Sequence, residues 1–182
     1  KMVKLKYRKE NMSVILPVAQ RGEDILRLKA ARVADAKFNS DWLMQLASAM
    51  IATMLERSGV GIAAPQVYIS KRVIIVASRP NLRYPDAPEM DAVVMVNPKI
   101  LEQSEVTVLG EEGCLSVPNE RGQVARAETI KVRYFTLQGE LVETVFQGFP
   151  ARIVQHEIDH LDGVLFVEKM DILLIESLPT SL

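Results

Sequence analysis

Between positions 42 and 55 the apolar residues Trp42, Leu43, Leu46, Ala47, Met50, Met54 and Leu55 recur at three- and four-residue spacing. Ser40 offers an N-cap and Gly59 a stop, so the spacing predicts an amphipathic helix over 41–57. Its methionines read as a core-facing stripe rather than a ligand surface. Downstream the period changes. Residues 72–77 read as a buried strand and 93–96 as another, broken by Asn97-Pro98. Residues 106–109 lead into the segment that ends at Pro118. Residues 129–135 and 141–146 alternate and join around Gln138-Gly139 as a hairpin. The stretch 78–91, rich in Pro, Asn and Asp, reads as an exposed loop. Gly148 and Pro150 introduce a second helix that Gly163 ends. A short strand over 164–166 and a C-terminal helix over 171–178 complete the pattern. Near the start, 14–18 is an apolar segment interrupted by Pro17, and 22–27 a turn leading into one helical turn. Many strands with two strong helices, and no regular βαβ alternation, predict an α+β fold of mixed or antiparallel sheets around the second helix.

The 182 residues suffice for one domain, assigned to 13–182. Residues 1–12 are basic, lack the apolar run of a secretory signal, and read as an alternative start or a cloning remnant before Met12-Ser13. With 48% hydrophobic and 25% charged residues the composition is that of a globular protein. The formal net charge of −1 gives no global field for nucleic acid. No apolar run approaches the roughly 20 residues that span a bilayer. A single cysteine, Cys114, excludes an internal disulfide and fits a reducing compartment.

The candidate chemistry begins at His156-Glu157-Ile158-Asp159-His160, which contains both histidines of the chain. On a helix, residues four apart lie on one face. Two imidazoles so placed bind one divalent metal, and the adjacent Glu157 can handle the proton of a water that the metal activates. An open catalytic site takes a third protein ligand. In the metzincin pattern the third histidine would stand at Phe166, and the only downstream glutamates are Glu168 and Glu176. That leaves Cys114, either a small buried hydrophobe or a thiolate ligand; with no other soft ligand in the chain, the ligand reading is preferred. Upstream, Gly59-Val60-Gly61-Ile62-Ala63-Ala64-Pro65-Gln66 matches a G-x-G-x-x-A dinucleotide fingerprint. The context is inverted, because a helix precedes it and a strand follows. The small residues let this backbone approach something closely, with Gln66 projecting an amide. Taken alone, the stretch favours a tight packing loop with Gln66 at the surface.

Three segments together resemble the signature motifs of the peptide deformylases: Gly59 to Gln66, Glu112-Gly113-Cys114-Leu115-Ser116, and Gln155-His156-Glu157-Ile158-Asp159-His160. The resemblance runs from about Val14 to Phe166. It implies a bacterial, cytoplasmic enzyme that removes the formyl group from N-formyl-methionyl nascent polypeptides, with Cys114, His156 and His160 on the metal. It implies Fe²⁺ as the physiological ion, with Zn²⁺, Ni²⁺ or Co²⁺ able to occupy the site. By the same resemblance Glu157 is the general base and acid, and the Gln66 amide and Leu115 N–H serve the oxyanion. Val60, Phe149 and Ile153 carry over as pocket walls, Gly61 as the point where the loop meets the substrate backbone, and Arg121 as an outer peptide contact. Glu112 is expected among the substrate-side residues or, with Asp159, hydrogen-bonded to the ligands. Gly110 departs from the bulky apolar residue of many members and alters one pocket wall. In some members a C-terminal helix docks on the ribosome; here 171–176 is apolar and acidic, which does not support direct attraction to RNA.

Two rival readings remain. A small zinc peptidase would share the His helix but leaves Gln66 and Cys114 without a role. A non-enzymatic protein with structural zinc would need four protein ligands, where the sequence offers three.

Overall fold

A computed structural model describes residues 14–170; the helix expected over 171–178 lies outside them. The first long helix, α1 (Asp41–Glu56), starts at Ser40, whose hydroxyl accepts from the Leu43 N–H at 3.2 Å. Met50 and Met54 are fully buried, so the methionine stripe is core. Seven strands follow: β1 (Gly61–Ala63), β2 (Val73–Ser78), β3 (Met90–Gln103), β4 (Thr107–Cys114), β5 (Val117–Ala127), β6 (Thr129–Phe135) and β7 (Leu141–Gln147). β1, β2, β3, β6 and β7 form one antiparallel sheet in that order, and β4 and β5 a two-stranded sheet. The second helix, α2 (Gly148–Leu161), begins two residues before Pro150.

Every residue of β2 is buried, as the unbroken apolar run over 73–77 requires. Ile74 and Val76 join the cluster that includes Val154, Ile158 and Leu161 of α2, while Val73, Ile75 and Ala77 join Leu43, Met50 and Met54 of α1. The two helices therefore cover opposite faces of the same strand, in the period-two manner of a pleated sheet. A third cluster packs Cys114, Val117 and Val124 of the β4–β5 hairpin against Leu26, Leu165 and Phe166. α2 is thus held between the large sheet and the hairpin that carries Cys114.

Two expectations are corrected, and one strand was not expected. Asn97-Pro98 does not end its strand: β3 runs through it on a register shift between Val96 and Lys99. Asn97 adopts φ 51°, which asparagine tolerates, and its amide bonds both the N–H and C=O of Val33 at 2.8 and 3.0 Å. The strand expected over 164–166 is instead extended chain leading into a 3₁₀ turn, Phe166–Glu168. β5 was not marked by any apolar run, because most of its outer positions are polar and exposed.

Candidate metal centre

α2 presents Arg152, His156 and His160 at four-residue intervals, with Ile153 and Glu157 on the adjoining stripe. The hairpin brings Cys114 to this face. Ligand atoms of Cys114, His156 and His160 lie within 4.8 Å of one another, and all three side chains are buried. Cys114 Sγ stands 3.3 Å from His160 Nε2. A sulfur and a nitrogen bound tetrahedrally to one ion would stand about 3.5 Å apart, so the spacing suits a shared cation. His156 Nδ1 donates to Glu112 Oε1 at 2.9 Å, which turns Nε2 toward the site. Phe166, at the position where a third histidine was sought, stacks on the His156 ring at 5.9 Å.

The charges also suit a cation. Burial alone would push the Cys114 thiol up, but the His160 and His156 rings hold it well below the usual thiol range. Burial opposes a charged His156, yet Cys114, Glu112 and Glu157 hold it well above the usual range. Burial pushes Glu157 up to about 7, with the neighbouring imidazoles pulling back only in part. Glu157 Oε1 is 4.0 Å from His156 Nε2, and Oε2 is a buried atom without a hydrogen-bond partner among the described residues.

Glu112 is the hub behind the ligands. Its Oε1 accepts from His156 Nδ1 and Arg126 Nη2, and its Oε2 from Arg126 Nε at 2.9 Å and Arg152 Nη1 at 2.7 Å. Burial works against its ionisation, but Arg126 and His156 hold its carboxyl far below the usual carboxylate range. Both oxygens of Glu112 are thus engaged. Asp159 makes no side-chain hydrogen bond to Cys114, His156 or His160 among the described residues; it accepts from Arg126 Nη1 at 2.5 Å and from Lys169.

Gln66 is buried, against the surface reading of its stretch. Its Oε1 accepts from the Ala63 N–H at 2.9 Å, so its amide NH₂ faces Ser116 Oγ at 3.1 Å and Cys114 Sγ at 3.5 Å. Leu115 occupies the two-residue turn between β4 and β5. A cleft opens over the site, and Val60, Gly61, Glu112, Phe149 and Ile153 are among its walls. Arg121 is not among them: it stacks 4.8 Å over the Tyr84 ring and bonds Glu111.

The family profile of the polypeptide deformylases matches residues 15–174. The chain belongs to the polypeptide deformylase family. It is 50% identical to peptide deformylase 2 of Nostoc sp. over 157 residues, 86% of this chain and 87% of that one. It is 51% identical to peptide deformylase 2 of Shewanella oneidensis over 154 residues, 85% and 83% of the two chains. A crystal structure of the class I type b peptide deformylase from Acinetobacter baumannii with Met-Ala-Ser bound superposes with a TM-score of 0.86 at 78% identity, covering 87% of this chain and 100% of that one. Membership makes the chain a hydrolase of a metal-dependent family that removes N-formyl groups from nascent peptides, and Cys114, His156 and His160 form its possible metal site. Among the described residues no helix is long and apolar enough to cross a membrane.

Four residues of this deformylase site were not singled out from sequence. Arg83 and Tyr84 come from the loop read only as exposed, and the Tyr84 hydroxyl accepts from the Gly113 N–H at 3.1 Å. Nothing in their local pattern marks them. Arg126 reaches Glu112 only through the β4–β5 pairing. Arg152 carried a signal: it lies four residues before His156 on the same helical face.

Proposed function

We propose that residues 13–182 act as one domain that hydrolyses the formamide bond of N-terminal formyl-methionine, with Cys114, His156 and His160 holding one divalent cation, Fe²⁺ by family resemblance. The observation that carries this reading is the buried Glu157 carboxylate beside three convergent ligand atoms. When bound, the cation supplies Lewis acidity to the formyl oxygen and acidifies the attacking water. Glu157 accepts the proton of that water and returns it to the leaving amine nitrogen. A C–O bond forms and the formyl C–N bond breaks, giving formate and a free methionine amine. The Gln66 NH₂, its direction set by the Ala63 N–H, donates to the developing oxyanion together with the Leu115 N–H. Val60, Phe149 and Ile153 receive the methionine side chain, and Gly61 leaves room for the peptide backbone. Arg121 serves further out. The Met-Ala-Ser peptide in the Acinetobacter baumannii structure supports a methionine-first peptide in this cleft.

Formate release from formyl-Met-Ala under anaerobic conditions, with metal analysis on the same sample, tests the reading. Turnover of formyl-Met-Ala with Met-Ala left intact is expected. Cleavage of unformylated Met-Ala would move the assignment to a peptidase. We further propose that the enzyme works in the bacterial cytoplasm near the ribosomal exit tunnel, which co-sedimentation with translating ribosomes would check.

A further inference from the structure

The Arg152 guanidinium is buried where β4, β5 and α2 meet. Its Nη1 donates to Glu112 Oε2 at 2.7 Å and to the Val124 carbonyl at 2.8 Å, and its Nη2 to the Val108 carbonyl at 2.7 Å. The guanidinium can lie there because position 110 has no side chain. A Cβ on Gly110 would stand 2.7 Å from Cζ, Nε and Nη2 alike, pressing on the flat face of the group. Ordinary carbon contacts start at about 3.5 Å. The arginine, a long side chain, would give way. A second cleft, lined by Val108, Leu109, Gly110, Phe149 and Arg152, offers it somewhere to go. Leaving would cost the Glu112 contact.

We infer that Gly110 and Arg152 are a matched pair, in which the missing side chain admits a positioning arginine that locks Glu112 onto the metal ligand His156. The chain of contacts is short: Arg152 to Glu112 Oε2, Glu112 Oε1 to His156 Nδ1. Arg126 grips Glu112 from one side, and Arg152 stops the carboxylate rotating away on the other. Groups that orient a ligating histidine typically change metal affinity or activity by about 10–100-fold when lost. Because Arg126 remains, the lower end applies. The inference rests on Cys114, His156 and His160 being the ligand set.

The test uses the full chain loaded with Ni²⁺, and follows metal loss to EDTA alongside thermal unfolding. The variants are Gly110→Val, Arg152→Met and the double variant, with Cys114→Ala as control. Each single substitution should speed Ni²⁺ loss about 10-fold. The double should match either single rather than multiply to about 100-fold, because both remove one contact. Folded single variants that lose Ni²⁺ at the wild-type rate would overturn the inference and leave Arg152 as a strap between α2 and the hairpin; so would multiplicative effects. If Gly110→Val fails to fold, Gly110→Ala and Arg152→Lys carry the same comparison: the methyl still meets the guanidinium, and lysine cannot span the same acceptors. A wild type that takes up no equivalent of Ni²⁺, or a Cys114→Ala variant that holds it equally well, refutes the ligand set, and the inference falls with it. Normal Cys114 dependence with unaltered Gly110 and Arg152 variants refutes the inference alone.

Discussion

Gly61→Ala is the smallest substitution that should disable the site without touching a ligand. Gly61 pairs with Val76 in the sheet, and α2 crosses directly over it. A Cβ there would stand 2.8 Å from Glu157 Oε1 and from Ile153 Cγ2, and 3.0 Å from Glu157 Cγ. That is about 0.7 Å inside the closest ordinary contact. β1 cannot retreat, because Ile62, on its opposite face, is packed in the cluster with Met50 and Met54 of α1. Ile153 is β-branched and stiff. The strain must fall on the Glu157 carboxylate. Overpacking of this kind costs about 1–3 kcal/mol, which lowers Tm by roughly 2–10 °C in a domain of this size. A base displaced by half an ångström or more should lose much of its contribution, so kcat should fall by about 10–100-fold. Metal content should stay near wild type, since Gly61 contacts none of the three ligands. The assay is formate release from formyl-Met-Ala with metal analysis and a thermal melt on one preparation. Wild-type kcat in a fully metal-loaded Gly61→Ala variant would refute the argument that close approach of β1 sets the position of Glu157.

Glu157→Ala should retain the metal and lose about 10²–10⁴-fold in turnover; retained turnover in a metal-loaded sample would remove Glu157 from proton transfer. Cys114→Ala should weaken metal binding and lose activity with it, and full occupancy measured by metal analysis would take the thiolate out of the ligand set. Arg126→Met strips Glu112 and Asp159 of a buried partner, so unfolding should show a loss of about 3–5 kcal/mol, well beyond that of an exposed pair such as Arg133–Glu143. Removing the metal with a chelator should abolish formate release, and re-addition of Ni²⁺ or Fe²⁺ should restore it.

How much of this was legible in the residues depends on how local each cause is. The helix α1 and the hairpin β6–β7 were readable because periodicity and turn chemistry act over a few residues. The pair His156 and His160 was readable for the same reason: one turn of helix fixes their shared face. Asn97-Pro98 misled because the partner that keeps β3 intact, Val33, lies far away in sequence. Gln66 was misread as a surface residue because its stretch does not reveal that the amide oxygen would be satisfied by the Ala63 N–H, three residues back, and so could be buried. Glu112 is the clearest case of non-local meaning. The residues around Glu112 give it no partner, and only the resemblance set it near the ligands or the substrate. Only the meeting of β4, β5 and α2 gives it Arg126, Arg152 and His156 together. The same meeting explains Gly110, which as a letter in the sequence appears only as a missing pocket wall. In the fold its lack of a side chain makes room for an arginine one helical turn before the first histidine. Gly110 is therefore best understood together with Arg152, whose guanidinium fills the space a side chain at 110 would take.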